Sequence, residues 1–593
     1  MASPILAPIP SATQTSFSRR DLAIGGLILV LCFWAFRHLP MQQGGGDSRY
    51  SMLLAENLLR HRDFTLERYD LPRPDYRLED VGGHRYYTFP VGTSVLSVPY
   101  LLVMHLRGES VVRADGSYDL RAESPLEVRL AALLMAALAA LVYLTARLRL
   151  PVSWSLTVTF ASVFGTQVLS TLSRAMWSDT WGVFLVGISA FLLFEPATRD
   201  RAPNLPLLAM LEVWSYIVRP TNALVLAGTA VYLAVTLRRR SWPFALTAGG
   251  WLALFVAYAW RHFHRLVPGY YQAGRLTFET GPSALLGNLV SPSRGLLICV
   301  PLVVAAGLLL IRHRRTIRFR ALLGLCLFVM VGHLAVLSGF DHWWGGHCFG
   351  ARLTASLVPW VVLLEIIAVD ALRAGRQRGA PRAGDAISLA IAGVLSLLSI
   401  GINSVGAFSR EAWNWNVNPN IDETPERLWS WRRPQFLAPF VEPAGPFLPL
   451  PAEGLRFGAD DSARYLGLGW SGVEGESRWT DGAHATIRFA RSGSGPGVLE
   501  LEARPYLGGG KLAGQRLAIS LNGQILRSLT LDRPEIAKYQ IAIPAETLRP
   551  QNRLRLQMPD AARPDVLEKT GDHRDLGIAV RALRWLGGDG AAQ

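Results

Sequence analysis

The chain is poor in cysteine and poor in charge. Of its 593 residues only four are cysteine: Cys32, Cys299 and Cys326 lie inside hydrophobic segments and Cys348 in a loop. The C-terminal region has none, so no disulfide framework holds it together. Charged residues make up 18% of the chain against 50% hydrophobic residues, with a mean hydropathy of +0.23. That balance excludes an ordinary soluble protein and reads as a polytopic membrane protein. Internal repeats are missing, as are low-complexity tracts beyond the tails, which removes repeat architectures. The net charge of +15 would suit nucleic acid. The arginines, however, gather in short clusters between hydrophobic segments, as cytoplasmic loops do under the positive-inside rule. Charge here reports topology, and no nucleic-acid partner is implied.

The first apolar segment runs from Leu22 to Phe36 behind Ser18-Arg19-Arg20-Asp21. The arginine pair is of the twin-arginine kind, yet no small-residue cleavage site follows His38-Leu39-Pro40, so a retained first helix entering from the cytoplasm is expected. Further apolar segments lie at 126–146, 152–172, 180–195, 204–218, 221–237, 243–261, 293–311, 320–338, 351–371 and 385–407. With the first helix they make about eleven spans of ~20 residues. The clusters Arg147-Leu148-Arg149, Arg199-Asp200-Arg201, Arg238-Arg239-Arg240, Arg312-His313-Arg314-Arg315 and Arg373 to Arg382 then all fall on one side. This requires Thr93 to Leu106, short for a span, to be interfacial or re-entrant. The arrangement is N-terminus in, C-terminal region out. The Ala, Gly and Arg content suggests a bacterial source and hence the bacterial inner membrane.

The opposite side carries another set of residues. The loop over 40–125 opens with Gln42-Gln43-Gly44-Gly45-Gly46-Asp47-Ser48-Arg49-Tyr50. A glycine run turns the backbone sharply. Behind it Tyr50, Leu53, Leu54 and Leu58 share a helical face suited to lying on the bilayer. Asp47 has two readings: it caps this helix, or it is a base at the membrane surface. The other outward connections hold His84, Tyr86 and Tyr87 before Thr88-Phe89-Pro90-Val91-Gly92, then Trp177-Ser178-Asp179, Arg219-Pro220, Tyr270-Tyr271, and Asp341-His342-Trp343-Trp344-Gly345-Gly346-His347. Asp179 is either a helix cap or a second site acid. Arg219 sits at a polar break between two short segments, which places it in a cavity. Glu212 either pairs with Arg219 or faces that cavity, and His333 reads as a satisfied core residue. Asp341, His342 and His347 are of ligand type for a divalent metal, or else partners for substrate hydroxyls.

After Gly406 the composition shifts. Residues 411–444 read as an extracytoplasmic linker, with Trp413, Trp415, Trp429 and Trp431 suited to the interface. Over 445–593 apolar residues alternate, as in Ile487 and Phe489, Leu499 and Leu501, Leu517, Ile519 and Leu521 before Asn522-Gly523, Ile541 and Ile543, Leu554 and Leu556, and Ile578 and Val580. Period two with an Asn-Gly turn predicts an antiparallel all-β sandwich of the jelly-roll kind. Trp470, Trp479 and Tyr506 are candidates there for stacking on sugar rings, or else serve core packing or docking on the membrane domain.

The acid after the first helix, the amphipathic helix behind it, Tyr86-Tyr87-Thr88-Phe89-Pro90-Val91-Gly92, the outward Asp179, and Trp343-Trp344-Gly345-Gly346 through Phe349-Gly350-Ala351-Arg352 together resemble one family. It is the GT-C superfamily of integral-membrane glycosyltransferases, which includes the dolichyl- and polyprenyl-phosphate sugar-dependent mannosyl- and aminoarabinosyltransferases. The resemblance spans roughly residues 20–410 and implies a catalytic membrane domain over 1–410. It departs at Asp47-Ser48, where many relatives have two adjacent acids, and this leaves the sugar open. The resemblance implies transfer of one sugar from a polyprenyl-phosphate donor to a hydroxyl of a glycan, lipid or protein, with inversion. It makes Asp47 the general base, its pKa pushed up beside the low-dielectric surface. Asp179 becomes an orienting acid, Arg352 and then Arg219 the donor-phosphate ligands, and His84, Tyr86, Tyr87, Asp341, His342, Trp343, Trp344 and His347 the substrate contacts. Two other expectations stand beside it: a transporter or flippase for a lipid-linked glycan, and a non-catalytic glycan-assembly protein.

Overall fold

A computed structural model of the chain describes residues 17–41, 46–377, 383–443, 445–491, 495–568, 570 and 572–586. Gln42 to Gly45, half of the glycine-rich stretch, and Arg378 to Arg382 of the last arginine cluster lie outside the described residues. The helical part is built from α1 (Arg19–Arg37), α2 (Ser51–His61), α3 (Val91–Leu106), α4 (Leu120–Arg147), α5 (Val152–Phe164), α6 (Ser178–Thr198), α7 (Leu205–Val218), α8 (Ala223–Leu237), α9 (Trp242–Phe263), α10 (Gly281–Val290), α11 (Leu296–Cys299), α12 (Leu302–Arg312), α13 (Arg320–Leu337), α14 (Val358–Gln377), α15 (Ala383–Phe408) and α16 (Arg410–Asn414). A hairpin of β1 (Leu78–Val81) and β2 (His84–Tyr87) lies between α2 and α3.

Each of the eleven apolar segments falls on helix, but length divides them. Among the described residues six stretches are long and apolar enough to cross a membrane: Leu120–Arg147, Ser178–Thr198, Pro220–Phe263, Arg320–Leu337, Arg352–Gln377 and Gly384–Phe408. Val91–Leu106, Val152–Phe164, Leu205–Val218 and Leu302–Arg312 are apolar and shorter. At ~1.5 Å per residue the 11 to 16 residues of these four reach only about 16–24 Å, against a hydrocarbon core of ~30 Å. The chain is thus a membrane protein with, among the described residues, six helical stretches of spanning length; Pro220–Phe263 takes in two of the eleven expected segments, and the full count of eleven is not reached by length.

The bundle is organised by α4 and α14. Every residue of α14 from Val358 to Leu372 is buried, the pattern of a helix enclosed on all sides. At one end of the bundle the arginine clusters meet: Arg149 is 3.3 Å from Asp370, and Arg147 is 2.7 Å from Asp21, which also completes the Ser18 capping box of α1. Arg312 pairs with Asp385 at 3.1 Å. The other end of α4, some 36 Å away at 1.5 Å per residue, carries Glu123 and Glu127. Gly92 explains the Pro-Val-Gly step, because a Cβ there would lie 2.8 Å from the Ile217 carbonyl oxygen and hold α3 off α7. The expected surface helix behind Asp47 is not one: Ser51 to Asn57 of α2 are all buried, leaving no polar face on this half of the helix for water.

The C-terminal part is all β, with β3 (Leu455–Arg456), β4 (Trp470–Glu474), β5 (Ser477–Asp481), β6 (His484–Ala490), β7 (Gly497–Pro505), β8 (Gln515–Leu521), β9 (Gln524–Leu531), β10 (Ala537–Ile543), β11 (Gln551–Gln557) and β12 (Leu576–Leu586). One antiparallel sheet has the order β10-β7-β12-β5-β4, with β3 on β12, and the other β6-β11-β8-β9. The alternating apolar residues of both sheets share one core. Asn522 and Gly523 join β8 to β9 with φ of 52° and 94°, the two positive values a type I′ turn needs. The aromatics suggested for sugar stacking are interior. Trp470 is 1% exposed and donates from its indole to the Thr486 carbonyl, and Trp479 and Tyr506 pack edge to face against each other, 9% and 8% exposed.

Candidate active site

Asp47 does not cap α2. The first helical N–H groups are satisfied from another helix: the buried Glu123 carboxylate of α4 accepts from the backbone of Tyr50 at 3.1 Å and of Met52 at 2.9 Å. An anion at a helix N-terminus is favourable, and this one comes from 71 residues away. Glu127, one turn further along α4, accepts from the Ser48 hydroxyl at 2.9 Å. Tyr50 has φ of 74°, and Asp47 stands ahead of it on a turn pinned by both glutamates. Neither glutamate is among the site residues expected from the sequence. Two acids at i and i+4 entering an apolar segment are the available signal.

On this turn the Asp47 carboxylate meets Arg352 and Tyr76. Arg352 Nη2 donates to Oδ2 at 3.0 Å and Tyr76 Oη to Oδ1 at 3.1 Å. The Asp47 side chain is 37% exposed and that of Arg352 12%. The Arg352 guanidinium lies 4.0 Å over the Trp177 ring, which supports the cation without neutralising it. Tyr87 Oη donates to the Asp47 carbonyl at 2.6 Å. Burial raises the Asp47 pKa, but the Arg352 charge, its hydrogen bond, that of Tyr76 and the Arg77 charge outweigh burial and hold the carboxyl below its ordinary value. This reverses the expected upward shift, because a guanidinium 3 Å away stabilises the anion more than the apolar surroundings penalise it.

Asp47, Ser48, Tyr87, Phe89, Pro90, Thr93, Met176, Trp177, Ser178, Arg219, Tyr270 and Arg352 line one narrow pocket. Its charged lining is two arginines and one carboxylate, a net positive hollow with aromatic walls. Arg219 is the second cation, at the break between α7 and α8, in the cavity that the polar break implies. It forms an ion pair with Asp179 at 3.2 Å and donates to the Ser178 hydroxyl at 3.2 Å. Asp179 itself is fully buried, accepts from Ser356 at 3.3 Å and does not line the pocket. Nor does it cap α6, whose N-cap is Trp177. Glu212 bonds Thr229 at 2.8 Å and not Arg219, and His333 is buried against the Leu353 carbonyl.

The remaining candidates lie elsewhere. His84 bonds Glu67 at 2.5 Å, and Tyr86 turns to His262 and Phe263. The 341–347 loop is tied to the linker. His342 Nε2 and the Trp344 indole share Asp422 Oδ1 at 2.9 and 2.8 Å, and His347 Nε2 lies 2.9 Å from Asn420 Oδ1. Trp343 is buried against Gly287, and Asp341 accepts from Thr277 at 2.5 Å. Beneath the loop the buried Arg294 donates to the carbonyls of Trp344 and Gly346 and to Asn416. Asp341 is thus engaged by Thr277 while the two histidines are engaged by the linker. Among the described residues no three His, Cys, Asp or Glu side chains are grouped to hold a metal ion.

No family model and no curated protein matches this chain. Among solved structures it is similar to arabinosyltransferase EmbB from Mycobacterium smegmatis, at 12% identity and a TM-score of 0.34, over 98% of this chain and 66% of that one. It is also similar to BtGH115A, a family GH115 4-O-methyl-alpha-glucuronidase with specificity for decorated arabinogalactans, at 10% identity and a TM-score of 0.15, over 45% of this chain and 33% of that one. This chain therefore covers a third of one of these structures and about two-thirds of the other. At such scores neither likeness decides fold or activity, and the functional reading rests on the pocket.

Proposed function

We propose that this protein is a glycosyltransferase of the GT-C kind, moving one sugar from a polyprenyl-phosphate donor to a hydroxyl acceptor on the extracytoplasmic face of the membrane. The observation that carries the reading is the meeting of Asp47, Arg352 and Arg219 in one aromatic-walled pocket, from segments far apart in the chain. Guanidinium groups bind phosphate oxygens in a forked geometry and stay charged when partly desolvated. Phe89, Trp177 and Tyr270 give the pocket an aromatic wall against which a sugar ring can pack.

In the reaction the acceptor oxygen forms a bond to the anomeric carbon while its proton passes to the Asp47 carboxylate. The bond from that carbon to the phosphate oxygen breaks, and its electron pair leaves with the polyprenyl phosphate. Arg352 and Arg219 stabilise the charge gathering there. Attack on the face opposite the leaving group inverts the anomeric centre. Asp179 serves as the buried counter-ion that keeps Arg219 extended into the pocket. A transporter is less well served, because it places its key polar groups near mid-membrane. Glu212 and Glu365, two of the carboxylates buried in the bundle, are each bonded to one hydroxyl and do not line the two-arginine pocket.

The test is incubation of the purified full-length protein in lipid with a panel of radiolabelled polyprenyl-phosphate sugars, scoring which donor is consumed. Consumption of one donor that is lost in Asp47→Asn supports the reading. Consumption of none, with the lipid-linked sugar instead carried across the bilayer, overturns it in favour of transport.

A further inference from the structure

Resting on the assignment of Asp47 as base and Arg352 as phosphate ligand, we infer that Arg352 holds Asp47 out of use until the donor's phosphate takes the guanidinium over. The acceptor is then deprotonated only in the donor-loaded enzyme.

The two groups that must act on different substrates are bonded to each other. Both Asp47 oxygens carry a donor, Arg352 on one and Tyr76 on the other. A carboxylate so stabilised is a weak proton acceptor. The other groups facing it add to the effect. Arg77 lies close enough to lower its proton affinity, Tyr87 holds the backbone carbonyl, and Arg219 shares the pocket.

The guanidinium, by contrast, has hydrogen-bonding capacity to spare. Its Nε is buried with no hydrogen-bond partner among the described residues, and Asp47 Oδ2 at 3.0 Å is the carboxylate oxygen it bonds. Trp177 supports its face at 4.0 Å, an interaction that tolerates sliding across the ring because it has no fixed hydrogen-bond geometry. The second arginine keeps its own buried counter-ion in Asp179. An incoming phosphate therefore competes with Asp47 for Arg352 and not with Asp179 for the cations as a set. Once Arg352 turns to phosphate, Asp47 loses its strongest stabilising charge and gains a negative neighbour. Both changes raise its proton affinity toward what a base needs. When the product leaves, Asp47 reclaims Arg352, which helps expel the polyprenyl phosphate.

Farnesyl monophosphate, a short prenyl phosphate, is the probe, used on the full-length protein in lipid nanodiscs. Two measurements are made. The first is its affinity for wild type and for Asp47→Asn, where the amide no longer competes for Arg352; binding at least about fivefold tighter in the variant is expected. The second is carbodiimide labelling of Asp47 in the wild type near pH ~5.5, read by peptide mass spectrometry. Carbodiimides attack protonated carboxyls, so the probe should raise labelling at Asp47 severalfold. Both results are required. Tighter binding without increased labelling reduces the first result to simple charge repulsion and overturns the inference. Equal binding of the probe to both proteins overturns it as well, although the donor assignment then survives. Failure of the probe to bind either protein removes the donor assignment itself, and the inference with it.

Discussion

The phenol of Tyr87 donates a 2.6 Å hydrogen bond to the backbone carbonyl of Asp47, which ties the β1-β2 hairpin to the Asp47 turn. Tyr87 and Phe89 line the same pocket, which makes the hairpin part of the site wall. Tyr87→Phe should lose about 1 kcal/mol of positioning. Turnover should fall severalfold with little change in prenyl phosphate affinity. An unaltered turnover number would detach the hairpin from the site.

Asp47→Asn separates the roles of that side chain. The amide keeps size and hydrogen-bonding shape but accepts no proton. Turnover should drop by ~10² or more, while the protein expresses and melts as wild type does, because α2 is capped by Glu123 and not by Asp47. Near-normal turnover would sink the base assignment. Asp179 is then a poor replacement, since it is enclosed behind Arg219.

Arg352→Lys keeps the charge and loses both the fork and the flat stacking on Trp177. Weaker donor binding by about tenfold is expected. The Asp47 carboxyl should also titrate closer to its ordinary range, visible as a rise in the acid limb of kcat/KM, which reports the free enzyme. An unshifted limb together with unchanged donor affinity would remove Arg352 from the site.

Gly92→Ala tests the packing behind the pocket. The added Cβ would stand 2.8 Å from the Ile217 carbonyl and 3.0 Å from Val218, and overpacking of this kind costs about 1–3 kcal/mol. Because Phe89 and Pro90 lead into α3, both melting temperature and turnover should fall. Loss of neither would show that α3 has room to move away from α7.

Glu411 gives a stability prediction with a definite sign. Burial pushes its pKa from 4.5 up to about 7, against an opposing hydrogen bond from the Gly469 N–H at 2.5 Å. The native state therefore keeps the proton that the unfolded chain loses first. Below the unfolded pKa the group is neutral in both states, so it contributes nothing. As pH rises from about 4.5 to 7 stability falls, and above that the penalty of about 1–3 kcal/mol is complete. Glu411→Gln keeps the acceptor oxygen and removes the charge. In thermal melts the variant should match wild type at acid pH and exceed it near pH ~8. A difference of the opposite sign would contradict the burial of this carboxyl.

Local pattern is legible in the sequence and long-range pairing is not. The strands and the Asn522-Gly523 turn follow from period two and a dipeptide that tolerates two positive φ values, and each apolar segment is helix. Arg219 in a cavity can be read from a polar break. Nothing within a few residues of Asp47 reveals that its carboxylate meets Arg352, 305 positions away, so the membrane surface alone gives the wrong direction for its proton affinity. The partners of the 341–347 loop are hidden for the same reason: nothing near its histidines and tryptophans in the sequence points to Asp422 and Arg294, which bond them. Trp479 gives no local sign of its burial because every residue of β5 is buried, so the alternation that marks an exposed side is lost.

The long-range cap on α2 also has a temporal side. Its carbonyl-to-amide ladder starts at N–H groups that Glu123 satisfies, so the segment after Asp47 has no ready-made beginning on a growing polypeptide. It must wait for α4 to be synthesised and inserted. Asp47 must then wait for Arg352, more than two hundred residues later still. During biosynthesis the first hydrophobic helix is thus made long before the pocket beside it can form. A chain released early carries the Asp47 carboxylate without the Arg352 guanidinium that completes its ion pair.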